Sequence, residues 1–573
     1  MDIVKKKIYL LAILFFILWA SDARADSQWQ TSNFNIDAVY DTARRNGVSA
    51  VNLKVSQKAY FYIETSWWDK QDGGVREETK DIIANLAVEF DQKIYPTETS
   101  VFGSEWIPGI DNDPKLTILF TQIKGEVGGY FNSGDEASKK INPFSNEREM
   151  IYVNISYLKS PRIKSFIAHE SQHLITFYQK EKLRERQEDI WLNEARSEYV
   201  PTLLGYDNLY ANSNLEKRVT DFLKTPSDSL TDWQNGTADY ASVNLFMQYL
   251  VSHYGTAVLT KMMQSSEVGI LSINSALSSL GVNKTFADVF TDWTIANYLN
   301  DCSISPSKLY CYTNPNLGHD HLKINLDLMG AGNSFEIGYK AQDWAGYWYR
   351  AEAVRGEGKI NVLNIKFSSL SNKSNFKVSY IIVYENGKIE ISFLNLNKLD
   401  PGQEGAAYIP DFGGSISSVV VIPSNQYRVT EFDRYESSIP YSLDFSTTKE
   451  MPILNSSYPD GSLIRAKGDY KVYVINGKYR RWIQNPEIFS FYGHFKWASV
   501  IEVTPQERDS YQESWLVRAD GDYKVYEING DGTRHWLNIT AEQFSISGRK
   551  WDMVFIINKR ERDWYKLGVD VKK

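Results

Sequence analysis

Cysteine is almost absent from this 573-residue chain, which contains only Cys302 and Cys311. Lying close together, they are expected to pair as one disulfide stapling the loop after a helical region. That pairing leaves no thiol for cysteine catalysis. Long apolar runs are as scarce: beyond residue 25 none approaches the roughly eighteen apolar residues that a membrane-spanning helix requires. Positive charge is not in excess either, with 63 Lys and Arg against 71 Asp and Glu and a formal net charge of −8. The first 25 residues hold four Lys/Arg against Asp2 and Asp22, so the remainder is near −10. Such a balance favours solubility and gives no reason to expect a nucleic-acid partner.

What is present begins with an export signal. Lys5, Lys6 and Lys7 precede an apolar run from Ile8 to Ala20 and then Ala23-Arg24-Ala25, which reads as a signal peptide over 1–25 with an Ala-x-Ala cleavage site. No cysteine lies near that site, which argues against a lipoprotein. The chain is expected in a bacterial periplasm or secreted. Its length implies about three or four domains.

The most informative stretch is Ala168-His169-Glu170-Ser171-Gln172-His173, followed some twenty residues on by Trp191-Leu192-Asn193-Glu194-Ala195-Arg196-Ser197-Glu198. Two histidines at i and i+4 share one face of a helix, so both rings can reach one cation, and Glu170 points to the same open side as a base. Ile163, Phe166, Ile167, Leu174 and Tyr178 recur at helical spacing, with Ser160 and Pro161 suited to an N-cap and first turn. A zinc ion is the expected cofactor, because a metal satisfies two buried imidazoles at once. A catalytic zinc needs a third protein ligand, with its fourth position left for water, and Glu194 is the best candidate. Glu194 and Glu198 lie one turn apart, so one carboxylate can bind metal while the other orients a ligand.

This Asn-Glu-x-x-Ser-Glu arrangement resembles the second helix of the gluzincins, the thermolysin-like clan of zinc peptidases. The resemblance implies that Glu194 is the third ligand, that Glu198 accepts a hydrogen bond from His169, and that Asn193 backs up His173. Pro108-Gly109-Ile110-Asp111-Asn112-Asp113-Pro114, Gly128-Gly129-Tyr130-Phe131 and the segment from Ser145 to Tyr152 look like upstream elements of the hyicolysin-type branch. Asp239-Tyr240-Ala241-Ser242 and Phe290-Thr291-Asp292-Trp293 look like its downstream helices, so the likeness spans roughly 40–300. Two residues depart from the pattern. Arg196 stands where a small or apolar residue is usual, and Pro201 is expected to break or kink the second helix.

The fold expected is multidomain α+β, a thermolysin-like zincin domain followed by a β-sandwich and two small β-rich repeats. Residues 26–155 mix helix, as in Ile82 to Phe90, with strands such as Leu116 to Phe120, and form the α+β half of the catalytic domain. Residues 156–311 form its helical half. In thermolysin-like enzymes an edge strand binds the substrate backbone, and Glu149, Met150, Ile151, Tyr152 and Val153 are the candidates here. Period-two alternation over 312–455 indicates the sandwich. His319, Asp320 and His321 are read as surface residues, since no cysteine or further carboxylate lies close by. Over 461–573, Leu463 to Tyr473 recurs as Leu516 to Tyr526, and Trp482, Phe489, Gly493 and Trp497 return as Trp536, Phe544, Gly548 and Trp551. Two copies cannot close a propeller, so two small packed modules are expected. Their aromatics either form each module's core or stack on cell-surface or matrix glycans.

The chemistry implied is one-step hydrolysis of protein or peptide substrates, with Glu170 taking a proton from water and passing it to the leaving amine. Tyr240 is the choice for stabilising the oxyanion, with Tyr199 and His253 as alternatives. The contrasting reading is an exported adhesin or carbohydrate-binding protein with a vestigial metal site.

Overall fold

The computed structural model describes residues 25–125, 127–318, 322, 324, 328–329, 334–353, 361–432, 438–449 and 458–572. The leader over 1–24, the His319, Asp320 and His321 group and the first part of the linker before residue 461 lie outside the described residues. The chain is multidomain α+β and divides into two compact units.

The first unit starts with a six-stranded sheet. Its strands are β1 (Thr31–Asn35), β2 (Gly47–Val55), β3 (Ala59–Glu64), β4 (Leu116–Thr121), β5 (Gly129–Phe131) and β6 (Met150–Asn154), in the order β1-β2-β3-β4-β6-β5. Strands β3, β4 and β6 are parallel and buried along their whole length, the burial expected of a parallel core covered on both faces. Successive residues alternate between the two faces. Tyr130 and Tyr152 stack at 4.2 Å on one face, while Phe61 on the other meets Phe90 at the end of helix α1 (Gly73–Glu89).

This order corrects the substrate-strand assignment. Strand β6, with Met150, Ile151, Tyr152 and Val153, lies between β4 and β5 with ladders on both sides, and Glu149 just before it accepts from the Ile110 N–H at 2.9 Å. A strand paired on both sides has no free backbone row for a peptide. The edge is β5, antiparallel to β6. Local alternation in the sequence cannot distinguish the two, because strand order is set by long-range pairing.

The helices that follow include α2 (Ile163–Thr176), α3 (Ile190–Leu203), α4 (Asn214–Lys224), α5 (Thr237–Tyr254) and α6 (Phe286–Leu299). Helix α2 packs on β5 and β6 and against α3, which in turn packs on α5. Helix α3 runs through Pro201 to Leu203 rather than breaking there. Proline deletes one i→i−4 donor within the last turn, and Leu204 N–H to Val200 O at 2.9 Å continues the ladder beyond it. The Cys302–Cys311 disulfide is formed in the loop after α6.

A boundary at 311 would cut into this unit, which continues to 325 and takes in 342–346 and 428–437. Trp344 packs between Phe286 and Phe290 of α6 at 4.7 and 5.3 Å, and its indole N–H donates to the Arg428 carbonyl at 2.5 Å. A large buried ring supplied by a later segment carries no local sequence signature.

In the second unit, strands from Leu328–Met329 to Ser438–Thr448 form a ten-stranded sheet whose two halves are joined through a single bridge, Phe412 to Ile416. Phe367 and Tyr441 of one half meet Phe376 of the other at 4.9 and 5.4 Å. The two repeats then form five-stranded sheets of identical order, built on Leu463–Ala466 and Leu516–Ala519. A buried Arg481–Glu561 ion pair joins them. Phe489 and Phe544 are core, and Trp497 and Trp551 stack on them while remaining exposed. Tyr470 and Tyr523, at equivalent positions, are each 78% exposed.

No helix of the described residues is long and apolar enough to cross a membrane.

Candidate metal centre

Helix α2 starts later than the Ser160 N-cap expectation. Its N-cap is Arg162, and Ser160 instead closes the preceding turn, its hydroxyl accepting from the Arg162 N–H at 3.2 Å. From there one turn of α2 separates His169 from His173, while α3 presents Glu194. The three Nε2, Nε2 and Oε2 atoms converge: His169 to His173 is 3.1 Å, His169 to Glu194 3.2 Å and His173 to Glu194 3.5 Å. This is the one group of three or more potential metal-binding side chains of this kind among the described residues. Donors of a tetrahedral zinc, bound at about 2.0–2.1 Å, stand about 3.3 Å apart, so the observed triangle fits. The Glu194 Oε2 is buried without a hydrogen-bond donor, an orphan that a cation would satisfy.

Each imidazole is held by its other nitrogen. His169 Nδ1 lies 3.4 Å from Glu198 Oε1, and Glu198 is locked by a two-pronged bond from Arg218 (2.7 and 2.7 Å) and by Asn214 Nδ2 (2.9 Å). His173 Nδ1 lies 3.2 Å from Ser197 Oγ. Ser197 uses its single proton on Gln172 Oε1 at 2.5 Å, so it accepts from His173, which leaves the His173 Nε2 lone pair for a metal. This corrects the role given to Asn193. Its carbonyl only lies 3.2 Å from Ser197 Oγ and its side-chain oxygen has no partner, so it does not orient His173.

The electrostatics favour a positive charge at the centre. Burial disfavours the imidazolium form of His169, but Glu194, Glu170 and Glu198 outweigh it and lift the ring to about 9. Burial also pushes Glu194 upward, yet His173 and His169 hold it below the ordinary carboxylate range. Glu170 goes the other way: burial raises it, and the two histidines only partly offset the shift.

The edge strand passes close to this base because of two glycines. A Cβ at Gly129 would sit 2.6 Å from the Tyr152 carbonyl oxygen and 2.9 Å from Glu170 Cγ, and one at Gly128 would sit 2.3 Å from the Phe166 ring. Beside the centre lies a cavity of 280 Å³ whose wall includes Gly129, Phe166, His169, Glu170, Pro201 and Tyr240. Tyr240 donates to Asn235 at 3.0 Å and carries the Arg218 guanidinium over its ring at 4.8 Å. Burial, together with Glu194, Glu198 and Glu170, raises its hydroxyl pKa, so it stays a donor. Of the alternatives, Tyr199 is partly buried on α3 and its pKa is pushed up to about 12 by burial. His253 is engaged with the Cys311 carbonyl at 3.0 Å. Arg196 does not shape the cavity: it is fully buried and pairs with Glu188 at 2.8 Å, which lies 3.6 Å from Lys180.

Sequence reasoning missed Ser197, Arg218, Asn214 and Tyr40. Helix α4 was legible, since Ser213 accepts from the Glu216 N–H at 3.1 Å in a Ser-x-x-Glu start followed by Leu215, Val219 and Phe222. Tyr40 stacks on Tyr130 at 4.6 Å, and burial, Asp37, Glu170 and Glu194 raise its pKa. Nothing in its sequence neighbourhood announces that placement.

No protein-family model and no curated protein matches the chain. Solved structures that match include infectious bursal disease virus Gx strain, at 12% identity and TM-score 0.12, covering 22% of this chain and 30% of that one. Another is a family GH115 4-O-methyl-alpha-glucuronidase with specificity for decorated arabinogalactans, at 8% identity and TM-score 0.13, covering 59% of this chain and 52% of that one. Scores this low carry no argument about fold or chemistry.

Proposed function

We propose that the chain is an exported zinc-dependent endopeptidase of the gluzincin type, nearest the hyicolysin-type family, with a thermolysin-like catalytic domain. The observation that carries this reading is the triangle of His169, His173 and Glu194 donor atoms at 3.1, 3.2 and 3.5 Å, with both imidazoles held from behind. These three side chains would hold the ion. When bound, zinc supplies Lewis acidity, which lowers the pKa of water and polarises a carbonyl.

The remaining work falls to the chain's own groups. Glu170 is the base, buried beside the two histidines and raised above the ordinary carboxylate range by that burial, which suits a group that accepts a proton from water and returns it to a leaving amine. Tyr240, protonated at neutral pH and on the cavity wall, is the donor for charge developing on the carbonyl oxygen. The edge strand β5 offers its free backbone row to an extended peptide by strand addition. Export rests on the leader signature and is supported by the disulfide. Glycan attachment through the repeats is supported by Tyr470 and Tyr523, exposed at equivalent positions.

Zinc analysis of the purified chain, combined with a mixed peptide-library digest with and without chelator, tests the reading. The expected result is one zinc per chain and chelator-sensitive cleavage. Glu170→Gln should retain zinc and lose on the order of 10²-fold or more in rate. A metal-free, inactive chain would return the adhesin reading.

A further inference from the structure

We propose that the cavity beside the metal centre receives a carboxylate, either an acidic side chain of the substrate or a peptide C-terminus, and that Arg162 binds it. The inference rests on the peptidase reading and names its substrate preference.

Three cations, Arg162, Lys217 and Arg218, line the cavity. Two of them are already committed. Arg218 holds Glu198 through both prongs at 2.7 Å, and Lys217 donates to Asp221 at 2.7 Å. Arg162 alone has no carboxylate within ion-pair distance among the described residues; its guanidinium carbon lies 5.7 Å from the Tyr157 ring centre and 5.6 Å from that of Phe166. Among the described residues, the anions of the wall are Glu170 and Glu198. Glu198 is neutralised by Arg218, and Glu170 belongs to the metal centre. Gly236 and Thr237 add the start of the 18-residue helix α5, whose positive end is partly offset where Asp239 accepts from the Gly236 N–H at 2.6 Å.

The arginine is held in position rather than loose. Tyr157 and Phe166 are 5.0 Å apart with the guanidinium against both, and Phe166 is itself pressed against Gly128, where a Cβ would come within 2.3 Å of the ring. An arginine ordered by ring contacts, half-buried and without an anion of its own among the described residues presents a planar fork matched to a carboxylate. In a peptide-cleaving site the anion available is a carboxylate.

The test measures binding and turnover separately. Binding is followed by calorimetry on the Glu170→Gln chain, in which cleavage is slowed on the order of 10²-fold or more, using a peptide with one internal glutamate, its glutamine isostere and their C-terminally amidated forms. Turnover is followed on the zinc-loaded wild-type chain with the same set. Tighter binding and higher kcat/KM for the glutamate peptide, on the order of tenfold or more, are expected, as for a charge-assisted hydrogen bond. If amidation rather than the glutamine exchange removes the preference, the carboxylate is the C-terminal one. Arg162→Met should abolish the preference in both assays, and Arg162→Lys should keep part of it. Equal binding of the glutamate and glutamine peptides, with no effect of amidation, overturns the inference, as does a preference that survives Arg162→Met. A chain that prefers the carboxylate peptide in calorimetry yet cuts nothing overturns the peptidase reading instead.

Discussion

Replacing Ser197 by alanine should weaken the metal centre without removing a ligand. The hydroxyl takes part in three contacts: it accepts from His173 Nδ1 at 3.2 Å, donates to Gln172 Oε1 at 2.5 Å and lies 3.2 Å from the Asn193 carbonyl. Its loss strands a buried donor on His173 and a buried acceptor on Gln172, and frees the ring to rotate or change tautomer. Groups that orient a metal-binding histidine are worth about 10- to 100-fold in metal affinity, or about 1.4–2.8 kcal/mol. Metal-free stability should fall by a comparable amount, about 1–3 kcal/mol for an unsatisfied buried group. The assay is a competitive zinc titration against a chromogenic chelator, run beside Asn193→Ala, whose side-chain oxygen reaches neither histidine. Ser197→Ala should lose affinity and Asn193→Ala should not. Unchanged affinity in Ser197→Ala, or a larger loss in Asn193→Ala, would refute the assignment of Ser197 as the group that holds His173.

Further outcomes follow from packing and charge. Gly129→Ala puts a Cβ 2.6 Å from a backbone carbonyl that cannot yield, so a stability loss of about 1–3 kcal/mol is expected, with a disproportionate drop in kcat/KM as β5 moves off Glu170; Gly73→Ala, whose Cβ meets nothing within 4 Å, is the control, and equal behaviour of the two in melting and turnover would sink the argument. Trp344→Ala should cost about 3–5 kcal/mol in chemical denaturation of the first unit, and a chain ending at residue 311 should neither fold nor hold zinc; a folded, zinc-replete truncation would show that Trp344 is dispensable. Burial raises Glu136 to about 9, Glu149 to about 7 and Asp135 to about 6. Their folded-state values exceed the unfolded ones, so the stability they contribute is complete below about pH 4 and is lost as the pH rises through 6 to 9, with a slope approaching about 1.4 kcal/mol per pH unit for each titrating group. Denaturation across that range should show the decline and Glu136→Gln should flatten it, whereas a pH-independent stability in the wild type would contradict the burial of these acids.

Local pattern was sufficient for the features that depend on neighbouring residues. Two histidines at i and i+4 must share a face of any helix that contains them, and the same holds for Glu194 and Glu198, so the candidate centre was legible before any tertiary contact was known. The repeats and the Cys302–Cys311 pairing were readable for the same reason, since close spacing and internal likeness lie in the chain itself. The Ser160 N-cap came out wrong by a turn or less, and of the break or kink expected at Pro201 the break is absent, because helix ends are decided by whichever turn or ladder continues them. Tertiary structure alone decided the rest. Which strand forms the edge depends on β4 pairing β6 across some thirty residues, and alternation reads the same in an interior strand as in an edge strand. Which residue holds His173 depends on how α3 is rotated against α2, a difference of a few ångströms that turns Ser197 inward and leaves the Asn193 side chain out of reach. The closing of the first unit by Trp344 and the pairing of Arg218 with Glu198 are of the same kind: the sequence supplied side chains able to make these contacts, and only the packing of distant segments selected the partners.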